Sequence, residues 1–209
     1  MSAAVTSSPG AGATAAAAAE EARAGPRQLA ARFGAVALLL ALDLWSKAAV
    51  FAWITSHPAG MRYDEHGHLR RPLVDGWLAF MLSRNPGMAW GFDKLPSWLL
   101  VFGRMAAAVF LAVLVVRTPP ARRVLAAALA LILAGALGNL YDNLFLAEGG
   151  ERFGRVRDFI DVYLPWGWHF PTFNVADSCI TVGAALLFAV SLRPARSEAG
   201  APLAEPTGG

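Results

Sequence analysis

The sequence predicts an all-α integral membrane protein with four transmembrane helices. Composition is the first observation: 56% of the 209 residues are hydrophobic and only 16% are charged, whereas a soluble domain carries about 25% charged residues. Patterning is the second. The apolar residues fall into four blocks, 33–53, 98–116, 124–145 and 173–192, each close to the ~20 residues a helix needs to cross about 30 Å of hydrocarbon. The mean hydropathy of +0.45 agrees.

Residues 1–32 are rich in Ala, Gly, Ser and Thr. They lack the order of a secretory leader, which places a basic stretch before an apolar core; here the first Arg is Arg23 and the apolar block begins after Arg32. The segment reads as a disordered or partly helical tail. Residues 193–209, rich in Pro, Gly, Ala and charges, read the same way, leaving 33–192 as the membrane domain. The link between the second and third blocks, RTPPARR at 117–123, has three Arg and no acid. Arg23, Arg27 and Arg32 precede the first block, and Arg193 and Arg196 follow the fourth. Loops 54–97 and 146–172 mix both signs. The Arg asymmetry predicts that both termini and 117–123 are cytoplasmic and that the long loops face outward.

The net charge is +3, but no run of Lys or Arg exceeds two residues, so no nucleic-acid footprint is visible. The single cysteine, Cys179, excludes an intrachain disulfide and a Cys-based zinc site. There is no HExxH, and His66-x-His68 reads as a solvated loop pair. Tryptophans near span ends, such as Trp53, Trp98 and Trp168, fit an interfacial aromatic belt. Arg104, about two turns into the second span, is expected to snorkel outward or pair with Asp93.

Ionisable groups inside spans are costly and mark pairing or function. Asp43 and Lys47 are four apart in the first block, on one helix face with the acid N-terminal. They read either as an ion pair locking the bundle or as substrate contacts. Asn139 and Asp142 share a face at the end of the third block, and Asn174 and Asp177 share one at the start of the fourth. The topology brings both pairs, with Asn85 before the second block, to one outer surface. The loop at 156–161 adds Asp158 and Asp161 between apolar neighbours, which reads as an interfacial segment or as a desolvated carboxylate. Two carboxylates at a semi-dry site can share one proton. The ionised one activates water and the protonated one serves the developing oxyanion. Spacing leaves open which two of Asp142, Asp158, Asp161 and Asp177 pair.

Five segments in order carry a resemblance. They are Asp43-x-x-x-Lys47, Arg84-Asn85-Pro86-Gly87-Met88-Ala89-Trp90, Gly135 to Asp142 (GALGNLYD), Val156-Arg157-Asp158-Phe159-Ile160-Asp161, and Trp168 to Asp177 (WHFPTFNVAD). The chain resembles the lipoprotein signal peptidases (signal peptidase II) across all four blocks. The resemblance implies an aspartyl endopeptidase of the bacterial inner membrane. Its substrates would be lipidated prolipoproteins, cleaved before a diacylglyceryl-modified cysteine. It implies Asp158 and Asp177 as the catalytic pair, with Asn85, Gly87, Asn139, Asp142, Asn174, Asp43 and Lys47 binding substrate or supporting the site. It implies a small extracytoplasmic β-cradle from roughly 54–92, with membrane lipid around the protein and no metal, nucleic acid or cofactor.

Two departures stand out. The resemblance implies Arg after Asp142, where this chain has Asn143; Arg152, Arg155 or Arg157 is expected to reach back. The stretch from Asn139 to Asp158 is longer than the resemblance implies, around AEGGERF at 147–153. Other classes fit less well. A transporter calls for internal repeats and broken helices at midplane, and neither is visible. A presenilin-like protease calls for a GxGD segment, and a serine intramembrane protease for a GxSxG-like elbow; both are absent from the sequence. A lipid-binding or protein-binding assembly factor gives no reason for two Asp-bearing segments on one side.

Overall fold

The computed structural model describes residues 23–63, 67, 69–86, 96–147, 149–151, 153–164 and 168–192. Helix α1 spans Pro26–Ser56 and starts well ahead of the apolar block. Proline in the first turn lacks an N–H that would be orphaned there anyway, and the Gln28 side chain accepts the Gly25 N–H at 2.9 Å. Arg32 is therefore part of the helix. Its guanidinium donates to the carbonyls of Val115 and Thr118 at 2.7 and 2.8 Å, which belong to the otherwise unsatisfied end of the next helix.

That helix, α2, spans Ser97–Arg117 and stops before Pro119-Pro120, which cannot continue it. Helix α3 spans Arg123–Phe145 and is the central one, packed by α1, α2 and, most extensively, α4 (Val175–Ser191). Val36, Val101, Ala108, Val115, Leu129 and Leu133 form the apolar seam between α1, α2 and α3. Outward faces carry exposed apolar side chains such as Leu38, Trp45, Val109, Phe110 and Phe188, which suits a hydrocarbon solvent. Helices α1, α2 and α3 are long and apolar enough to cross a bilayer; α4 is a shorter apolar helix of 17 residues.

The long loops build one antiparallel sheet in the order β1 (Arg62–Tyr63), β2 (Leu69–Val74), β3 (Leu78–Asn85), β4 (Val156–Tyr163), β5 (His169–Phe173). Strands β3 and β4 come from different loops and pair with Ser83 opposite Asp158 and Asn85 opposite Val156. Residues 156–161 belong to the fourth strand, and Asp158 and Asp161 are buried, which favours the desolvated reading of the segment over the water-facing one; the sheet thus extends beyond the 54–92 loop expected to form the cradle. The β-branched and aromatic residues of VRDFIDVY suit a strand covered on both faces. Trp53 near the end of α1 packs edge-on against Phe80 of β3 at 6.2 Å, and Phe80 against Phe159 of β4 at 5.9 Å. The sheet is thereby seated on the helix ends.

Helices α3 and α4 approach closely because α3 carries Gly135 and Gly138. A β-carbon on Gly135 would strike the Ala176 carbonyl oxygen. One on Gly138 would strike the Asp43 carboxylate, 3.0 Å from its Cγ, and lie 3.2 Å from the Ala176 Cβ. Gly138→Ala is expected to destabilise the protein by about 1–3 kcal/mol through overpacking, read as a lowered thermal unfolding midpoint in detergent. Gly103→Ala, at a position with nothing within 4 Å of the added carbon, should leave that midpoint in place.

Candidate active site

Asp43 and Lys47 sit one turn apart on α1, 2.8 Å from each other and at most 1% exposed. Lys47 also lies 3.5 Å from Asp142 of α3 and donates to Asn139 Oδ1 at 3.0 Å. The other Asp43 oxygen accepts the Ala176 N–H at 2.8 Å. One buried ion pair thus joins α1, α3 and the first turn of α4. Burial at this level is tolerable only when charges are paired and hydrogen-bonded.

Asn174 is the N-cap of α4. Its Oδ1 accepts the Asp177 N–H at 2.9 Å, and Asp177 Oδ2 accepts the Asn174 N–H at 3.2 Å, a reciprocal cap. Because Oδ1 faces an N–H, the Asn174 amide nitrogen must face the other way. There it donates to Asp158 Oδ1 at 2.6 Å. The same logic fixes Asn139: its oxygen faces the Lys47 ammonium, which only donates, so its nitrogen is left to donate to Asp177 Oδ1 at 2.8 Å. Two amides, each oriented by an obligate donor, therefore each hold one aspartate.

The four aspartates left open by sequence separate by their partners. Asp142 is fully buried and takes Arg157 through its backbone N–H at 2.9 Å and its guanidinium at 2.8 and 3.3 Å, with Lys47 beside it. Asp161, also fully buried, pairs with Arg70 at 2.9 Å and with the His169 ring. The Arg70 guanidinium lies 4.1 Å over the Tyr163 ring, which stacks on His169 at 4.5 Å. Asp158 and Asp177 instead line one cavity of about 600 Å³, with Asn85 at its edge and Trp168, Phe170 and Phe173 along its wall. Burial pushes the Asp158 carboxyl up to about 7, the negative charge of Asp177 adds to this, and hydrogen bonds from Asn85 and Asn174 act in the opposite direction.

The structure thus gathers Asp43, Lys47, Asn85, Asn139, Asp142, Asp158, Asn174 and Asp177 at one end of the bundle. Gly87 lies outside the described residues, as do His66, His68, Asp93 and Arg152. Of the arginines expected to reach back toward Asp142, Arg157 does so, whereas Arg155 pairs with Glu151 at 2.8 Å. Arg104, expected to snorkel outward or pair with Asp93, donates to Asn143 Oδ1, and Asp93 lies outside the described residues. Asn143 is buried and its nitrogen donates to the Gly154 carbonyl at 2.8 Å. Spacing along one helix cannot reveal such a contact, because Arg104 and Asn143 lie on different helices. Among the described residues no group of three or more His, Cys, Asp or Glu is arranged to hold a metal.

The family described as signal peptidase (SPase) II matches residues 35–193. Curated relatives called lipoprotein signal peptidase include one from Geobacter sulfurreducens, 42% identical over 132 residues, spanning 61% of this chain and 77% of the relative. Another, from Anoxybacillus flavithermus, is 33% identical over 151 residues, spanning 72% and 79%. A third, from Solibacter usitatus, is 34% identical over 172 residues, spanning 80% and 93%. A solved structure described as a bacterial membrane enzyme, determined by the in meso method at 2.3 Å, shares the fold. It has a TM-score of 0.62 and 22% identity, over 83% of this chain and 94% of that one.

Proposed function

Since the chain belongs to the signal peptidase II family, we propose that it is a membrane aspartyl endopeptidase that removes signal peptides from diacylglyceryl-modified prolipoproteins. It cuts before the lipidated cysteine, with Asp158 and Asp177 as the catalytic pair. The observation that carries this reading is the shared cavity that Asp158 and Asp177 line; among the described residues neither makes an ion pair of the kind that Asp142 and Asp161 make.

In this mechanism Asp177 serves as the base. It sits in the first turn of α4, where the helix dipole favours an anion, and it accepts the Asn139 amide and the Asn174 N–H. Asp158, desolvated and raised to about 7, holds the proton. Asp177 takes a proton from water as the water oxygen attacks the scissile carbonyl, and Asp158 donates its proton to the carbonyl oxygen. Collapse of the gem-diol returns a hydroxyl proton to Asp158, while Asp177 gives its proton to the departing amine. Atoms balance with one water consumed, and neither metal nor nucleotide enters the cycle. The apolar wall of Trp168, Phe170 and Phe173 suits the acyl-bearing side of the substrate, and Asn85 is placed for its backbone.

All four helices cross the bacterial inner membrane in this reading. Helix α4 covers about 26 Å at ~1.5 Å per residue, at the short end of the usual range. The Arg-rich end, with Arg32, Arg117, Arg122 and Arg123, is cytoplasmic, which puts the site and the sheet near the outer leaflet. Residues 33–192 form the peptidase unit, and 1–32 and 193–209 are cytoplasmic extensions.

Purified protein in lipid is expected to cleave a diacylglyceryl-modified prolipoprotein and to spare the unmodified precursor. Because Asp158 must carry a proton, the rate should fall as pH rises through about 7, with the limb belonging to the pair as a unit. A folded protein that cleaves neither substrate, or a rate still climbing above pH 8, overturns the reading.

A further inference from the structure

Five of the six residues from Trp168 to Phe173 line the cavity that holds the proposed pair; the sixth, His169, does not. Its ring turns instead to Asp161 on the neighbouring strand β4. Asp161 is fully buried and lies three residues from Asp158, an odd spacing that puts the two side chains on opposite faces of a strand. The second Asp161 oxygen meets Arg70 Nε at 2.9 Å. Arg70 belongs to β2, so its side chain crosses β3 to reach β4. The residue opposite Asp161 on β3 is Ala79, whose small side chain leaves that crossing open. The Tyr163 ring lies 4.1 Å from the guanidinium and stacks on His169 at 4.5 Å. The cluster joins β2, β4 and β5 on the side of the sheet away from Asp158.

Strand β5 depends on such a tie. It is an edge strand of five residues. It pairs with β4 through Ile160 and Phe173, Val162 and Phe170, and Tyr163 and His169, with a register shift between Ile160 and Val162. Pro171 falls within that shift and has no N–H to give to the ladder. Backbone pairing alone therefore holds β5 weakly. Asp161, ion-paired with Arg70, accepts the proton of His169 Nε2, and hydrogen bonds to charged groups are the stronger kind. Asn174, which follows β5, is held by its own bonds to Asn139 and Asp158, so the pair is anchored independently of the strand.

We propose that Asp161, Arg70 and His169 form a latch that holds β5 against β4 and so sets the apolar wall facing the acyl-bearing side of the substrate, which makes His169 a positioning residue for substrate binding. The inference rests on the peptidase reading of the cavity. His169 touches no reacting atom; it acts through Trp168, Phe170 and Phe173. Opening the latch lets β5 shift, so the wall fits acyl chains less well while Asp158 and Asp177 keep their amide partners. The loss therefore falls on KM. Glutamine at 169 supplies an N–H near the place of Nε2, whereas phenylalanine keeps the stack on Tyr163 and loses the donor.

The test compares wild type, His169→Gln and His169→Phe in lipid, with His169→Leu where Phe is not tolerated. The Phe variant is expected to raise KM for a long-chain diacylglyceryl prolipoprotein about tenfold, the scale of a lost hydrogen bond to a charged group, with kcat unchanged. Its preference for long over short acyl chains should shrink as well. Amide hydrogen exchange at 169–173 should quicken in the Phe variant. The Gln variant should keep the wild-type KM, chain preference and exchange. Wild-type KM or exchange in the Phe variant, a Gln variant as impaired as Phe, or a loss confined to kcat would overturn the proposal. If exchange quickens as expected in a protein that cleaves nothing, the peptidase reading fails and the latch stands.

Discussion

Asp177→Asn is expected to yield a folded protein that cleaves lipidated prolipoprotein about 10²–10⁴-fold more slowly, the usual contribution of a positioned general acid or base. The amide is the same size as the carboxylate, so the cavity keeps its shape. Asn139 still finds an acceptor at the 177 position. The hydrogen bond that disappears runs from the Asn174 N–H to Asp177 Oδ2 at 3.2 Å, half of a reciprocal cap. That predicts a modest stability loss of about 1 kcal/mol. Asp158→Asn should lose activity to a similar extent, because the two groups act as one unit and single losses in such a unit are not additive. In both variants the loss should fall on kcat rather than KM. The measurement is single-turnover cleavage followed by gel shift, with the unfolding midpoint recorded for each protein. A folded Asp158→Asn or Asp177→Asn enzyme with near wild-type turnover would remove that residue from the pair.

Lys47→Met should fail for a different reason, through stability rather than chemistry. Its ammonium is fully buried between Asp43 and Asp142 and donates to Asn139. Removing it strands the Asp43 carboxylate, which among the described residues keeps the Ala176 N–H as its hydrogen-bond donor. Breaking one side of a buried ion pair costs about 3–5 kcal/mol, enough to unfold many domains. The expected result is poor recovery of folded protein and an unfolding midpoint far below wild type. The double variant Asp43→Asn with Lys47→Met removes the stranded charge, while Arg157 still neutralises Asp142. It should recover most of the stability, and the cycle of single and double variants isolates the coupling. It should not recover full activity, because Asn139 loses the Lys47 ammonium and is oriented toward Asp177 by the Asn174 amide at 3.2 Å alone among the described residues. Equal stability losses in the single and double variants would show that the pair's electrostatics are not what holds the three helices together.

The helical half of this architecture is plain from the sequence because its signals are local. Spacings of three and four put Asn139 with Asp142, Asn174 with Asp177, and Asp43 with Lys47 on shared faces of their helices. The apolar blocks match α2 and α3 to within a residue or so at each end. The start of α1 is hidden from hydropathy, because Pro26 to Arg32 is a polar stretch that is helical by its cap and by the reach of Arg32 to α2. The sheet is half legible. Strand β4 pairs with β3 across two intervening helices, and nothing in VRDFIDVY declares a partner so far away in the chain. That hides the separation of Asp158 from Asp161: three residues apart, they end up in different clusters, one facing the cavity with Asn174 and the other locked to Arg70 and His169. The register shift between Phe80 and Ser83 lies where β3 crosses from opposite Ile160 to opposite Asp158. The contact of Arg104 with Asn143 is hidden from the sequence because the two residues lie on different helices, 39 positions apart.

The first turn of α4 also has a consequence in time. Asn174 caps the helix and orients Asp158, Ala176 supplies the N–H that receives Asp43, and Asp177 completes the proposed pair. All of them belong to the start of α4, which follows α1, α2, α3 and the sheet strands along the chain. Until that segment docks, the chain holds Asp158 without the second carboxylate of the proposed pair and Asp43 without one of its partners. On the proposed reading such a chain lacks half of the pair as well as an anchor for Asp43, so docking of α4 and completion of the site are one event.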